Sequence, residues 1–111
     1  MRNHMKFVEV LEKLFDEAMN SRNAFIIMRF NGQEDLKNTI VGDYGFKDFE
    51  KFFAFVYGIL TDHYYALMER YIYLSEEEVE DMVLDEVKTW TVQPMDENDI
   101  KAVAFMKGEQ I

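Results

Sequence analysis

Asp62, His63 and Glu69 are the nearest this sequence comes to a set of metal ligands, and His63 is its one internal histidine. A carboxylate–histidine set could hold a divalent cation and activate water on it. On a helix, however, the spacing of these three puts them on different faces, and no second histidine stands nearby to complete a site. His63 falls at the edge of an apolar helical face, where a hydrogen-bonded structural role is expected. His4 lies in a segment expected to fray. With no cysteine, a thiolate nucleophile, a disulfide framework and a cysteine-based zinc or iron–sulfur site are excluded. No serine or threonine sits in a G-x-S-x-G elbow. Gly42 and Gly45 lack the Lys-Ser or Lys-Thr that completes a phosphate-binding loop. Asp96, Asn98 and Asp99 resemble part of a calcium loop without its central glycine or its closing glutamate. The expectation is a non-enzymatic chain with no catalytic residues, no metal and no cofactor.

What the sequence does concentrate is negative charge. The chain has 12 basic and 22 acidic residues, for a net charge of -10. Residues 1–57 hold nine acids and eight bases, net -1, whereas residues 58–111 hold thirteen acids and four bases, net -9. Over residues 76–99, ten acids face Lys88 alone. Direct binding to nucleic acid or to an anionic membrane is thereby disfavoured, and a basic partner is favoured by electrostatic steering. Helical spacing sets Glu77, Glu78, Asp81 and Asp85 in a row opposite Val79, Met82 and Val83, with neighbours about 5–6 Å apart at Cβ. Duplex nucleic acid presents one charge per about 1.7 Å of axis, counted over both strands, so such a row can imitate a phosphate backbone. Asp96, Glu97 and Asp99 extend the acidic set. A solvated helix face whose early acids favour the helix dipole is the simpler alternative.

Aromatic residues are the second concentration: 11 of the 17 lie between Tyr44 and Tyr73. Phe46, Phe49, Phe52 and Phe53 read as core, and Phe55 as a second core layer. Tyr65 and Tyr73 are expected at the surface, where tyrosine is typical of contact patches.

The elements that must carry these residues follow from periodicity. At 111 residues the chain has the size of one domain, and with 49% hydrophobic residues it can bury a core. Phe7, Leu11, Leu14, Phe15 and Ala18 define an amphipathic helix from Lys6 to Ser21, with Glu9, Glu12, Lys13 and Asp16 on its other side. Ala24 to Phe30 reads as a strand stopped by the Asn31-Gly32 turn, with Thr39-Ile40-Val41 as a candidate returning strand. One long helix is predicted over Phe46 to Tyr73, with a bend near Gly58 and with Phe49, Phe53, Val56, Leu60 and Leu67 buried. Ser75 followed by Glu78 is a capping box, so a helix should start at Glu76 and run to Val87 or Trp90, burying Val79, Met82, Val83, Val87 and Trp90. Thr89 to Val92 is a candidate short strand before Pro94. Asp96 is a candidate N-cap for a helix over Glu97 to Lys107 ended by Gly108, although Lys101 to Met106 fits a strand equally.

These elements predict an α+β fold: a mostly helical small domain with a long central helix and a small antiparallel sheet. Its longest uncharged run, Phe52 to Thr61, is about half of the roughly 20 residues a membrane span needs. The start of the chain has no signal-peptide core, and a reducing, cytoplasmic setting is expected. The functional expectation is a nucleic-acid mimic that binds a basic nucleic-acid-binding protein, possible targets including a nuclease. Phage-type inhibitors of host defence nucleases, such as anti-CRISPR proteins, are its most concrete class. The alternative is an adaptor that binds or forms a homodimer through aromatic surface.

Overall fold

The computed structural model describes residues 4–21, 24–30, 33–41 and 45–106, with the backbone alone for 33–40, 99, 100, 103, 104 and 106. The described elements run α1 (His4–Asn20), β1 (Ala24–Phe30), β2 (Gln33–Ile40), α2 (Phe49–Arg70), α3 (Glu76–Val87), β3 (Thr91–Pro94) and α4 (Glu97–Met106). This is a mostly helical α+β domain. The Asn31-Gly32 turn, the loop around Gly42 and the Gly108 stop lie outside the described residues.

The sheet is three-stranded and antiparallel, in the order β2-β1-β3. β1 is central, paired on both sides, and its alternation of buried Ala24, Ile26, Met28 and Phe30 with less buried Phe25, Ile27 and Arg29 shows that one face of the sheet is covered by the core. Thr39 and Ile40 return beside β1 as expected, in a strand that is longer, starting at Gln33; Val41 continues the pairing, its N–H donating to the Ala24 carbonyl at 3.1 Å, and also bridges to Phe46. β3 begins at Thr91 rather than Thr89, because Thr89 and Trp90 close the turn after α3 with backbone bonds to Glu86 and Val87. Pro94 is inside the strand, paired with Ala24; it is tolerated there because β3 is an edge.

α1 and α3 pack on the sheet, and both also pack on α2. Buried Phe7, Leu11, Phe15 and Ala18 face inward from α1, with Leu14 half-buried beside them. α2 is shorter than its periodicity suggests. Asp48 caps it by accepting from the Glu50 N–H at 2.8 Å, which leaves Phe46 outside the helix. Its buried line is Phe52, Val56, Leu60, Tyr64 and Leu67. Phe49 and Phe53 are half-buried rather than fully buried. Phe49 is the first helical residue, and Phe53 stacks on Tyr57 at the interface edge, beside the ring of His4. His4 therefore belongs to the first turn of α1 and packs on two α2 rings, where a frayed terminus was expected.

Candidate functional site

α3 is the element that carries the acidic row, and its start is fixed locally. Ser75 Oγ accepts from the Glu78 N–H at 3.1 Å, while Glu78 Oε1 accepts from the Ser75 N–H at 3.2 Å, a complete capping box. Val79, Val83, Leu84 and Val87 turn inward, and Met82 is half-buried, a shift of the buried arc toward Leu84. That rotation leaves Glu77, Glu78, Asp81 and Asp85 exposed on the opposite side. The helix dipole and the capping box account for Glu76, Glu77 and Glu78, which occupy the first turn. They do not account for Asp85. It stands near the C-terminal end, where negative charge is unfavourable, in a helix whose last turn has no base before the capping residue Lys88.

Two acids of α3 have other work. Glu80 is 1% exposed, and its charge reaches Tyr57 of α2. Glu86 Oε2 meets His63 Nε2 at 2.5 Å, joining α3 to α2. With a carboxylate as acceptor, Nε2 carries the proton. The His63 ring also packs on Phe30, centroids 4.6 Å apart, and Phe30 in turn meets Trp90 edge-on. His63 is thus a hydrogen-bonded structural histidine. No three potential metal ligands gather among the described residues.

Burial raises the Tyr57 phenol above its ordinary value of 10.0, with smaller contributions from Glu80 and Tyr65. Tyr57 should therefore be a late tyrosine in a spectrophotometric titration. Because the folded value is the higher one, its contribution to stability is intact below the unfolded value and is lost as pH rises through the folded one. A Glu80→Gln variant should bring the Tyr57 transition to lower pH; an unmoved transition would remove Glu80 as a cause.

Tyr65 and Tyr73 are exposed at 62% and 77%, with Ile72 at 84% between α2 and α3. Phe55 is exposed as well, its ring against Phe46, and so is no second core layer. Asp96 and Glu97 are exposed beyond β3, while the side chain of Asp99 lies outside the described residues. Among the described residues α4 packs against no other element.

No family model matches the chain, and no curated protein or solved structure matches it. No helix among the described residues is long and apolar enough to cross a membrane.

Proposed function

We propose that this protein is a non-enzymatic binding protein whose acidic α3 face occupies the basic, nucleic-acid-binding site of a partner protein and so inhibits it. The reading rests on one observation: Glu77, Glu78, Asp81 and Asp85 are all exposed along one side of a rigidly capped helix. A helix packed on both α2 and the sheet holds that row without a further ordering cost on binding. An inhibitor of a defence nuclease is the most concrete form of the proposal.

The test is capture of nucleases and DNA-binding proteins from the source cell, followed by titration of the purified pair. Binding should weaken about tenfold or more between roughly 50 and 200 mM salt, since surface charges are screened over about 10 Å at 0.1 M. Nucleic acid should compete for the same site. A complex that is insensitive to salt, does not compete with nucleic acid, and is lost on Tyr65→Ala or Tyr73→Ala supports the second reading. In that reading the exposed Tyr65, Ile72 and Tyr73 serve an adaptor or self-associating surface.

A further inference from the structure

A groove of about 350 Å³ lies between α1 and the C-terminal end of α3. It falls at the small end of the range for ligand sites. Its lining combines Val10 and Leu14 of α1 with buried Val87 and Trp90, while Lys13, Glu17 and Lys88 stand around it. The indole cannot turn freely, because its Nε1–H donates to the Arg29 carbonyl at 3.3 Å and its ring meets Phe30 edge-on. Among the described residues neither Lys13 nor Lys88 is ion-paired with a carboxylate. Lys13 and Lys88 thus supply two cations to the lining of the groove, against the single carboxylate of Glu17.

We propose that this groove binds a small amphipathic monocarboxylate. Its alkyl or aryl part lies on Val10, Leu14, Val87 and Trp90, and its carboxylate lies between Lys13 and Lys88. Apolar walls with a few converging polar groups are the usual make-up of a small-ligand site, and the two cations on its rim set the sign of the ligand. A cationic amphiphile would fit the same walls and leave both ammonium groups repelled.

Trp90 is the only tryptophan, so indole fluorescence reports on this groove directly. The intact chain is titrated with octanoate below its micellar range, with octylammonium and octanol as controls. Octanoate is expected to shift Trp90 emission saturably and to move the amide signals of Val10, Leu14 and Val87. Lys13→Gln and Lys88→Gln, both at exposed positions, should keep the fold by circular dichroism. Each should weaken octanoate roughly three- to tenfold, the range for an exposed to partly desolvated charge contact. The proposal is overturned by equal binding of octylammonium, by octanoate binding unchanged in both lysine variants, or by no saturable shift at millimolar octanoate. It is also overturned if dilution alone exposes Trp90, which would mean that a second copy fills the groove.

Discussion

Phe52→Ala is expected to cost about 3–5 kcal/mol of stability, the range for truncating a fully buried aromatic side chain. Phe52 has no exposed surface, and its ring lies 5.2 Å from that of Phe15 and 5.8 Å from that of Phe46, centroid to centroid. It is the point where α1, α2 and the loop before α2 converge, so a cavity there has walls on three sides that cannot all relax. At about 4–8 °C per kcal/mol in small domains, the melting temperature should fall by roughly 15 °C or more. Phe53→Ala is the control, because Phe53 is half-buried at the edge, against Tyr57 and His4. It should cost about 1–2 kcal/mol, in keeping with partial burial of the same side chain. Calorimetry of both variants decides the matter: equal losses, or a larger loss at Phe53, would mean that the α2 face is rotated from the one described.

That pair of residues also marks the limit of periodicity as a guide. Both phenylalanines belong to the apolar arc of α2, and a helical wheel carries no information on which end of the arc meets a neighbour. The arc was legible; the position of α1 against it was not. Glu80 is a different case, because the signal was present. It follows Val79 and precedes Val83 and Leu84 by three and four residues, which places it inside the buried arc of α3. A carboxylate in that position needs partners from another helix, and Tyr57 of α2 stands close enough to feel its charge. His63 was placed correctly at an apolar edge, whereas its partner Glu86, 23 residues away, could not be chosen from among so many acids. The capping box at Ser75 and Glu78 was fully legible because both halves of it lie within one helical turn. β2 was only partly so: Gln33 to Asn38 lacks the β-branched and aromatic residues that mark strands, and pairing with β1 extends it regardless. The exposure of Glu77, Glu78, Asp81 and Asp85 was legible from helical spacing; where Asp96 and Glu97 stand relative to them was not, because β3 intervenes in the chain between α3 and α4 and helical phase does not run across it.

Neutralising the row should have the largest effect on binding while leaving the fold intact. Glu77→Gln, Glu78→Gln, Asp81→Asn and Asp85→Asn together remove four charges from exposed positions and retain side-chain size. Glutamine can serve at the third position of a capping box, so the amide at residue 78 can still accept from the Ser75 N–H. Loss of Asp85 also relieves an unfavourable charge near the end of α3, and the melting temperature should hold or rise slightly. Association with the partner should slow by about ten- to a hundredfold at low salt, within the span that electrostatic steering contributes to association rates. The salt dependence should flatten at the same time, and competition with nucleic acid should weaken. A control built on α1 replaces Glu9, Glu12 and Asp16, which are exposed on a helix that also carries Lys6 and Lys13. Those acids are partly balanced where they stand, so the control should lose well under half as much, on a logarithmic scale, as the α3 variant. Stopped-flow association at several salt concentrations separates the outcomes. If the α1 and α3 variants lose equally, the partner responds to overall charge and the α3 row has no special place. If neither variant loses anything while Tyr65→Ala does, binding runs through the aromatic surface between α2 and α3, and mimicry of nucleic acid is wrong.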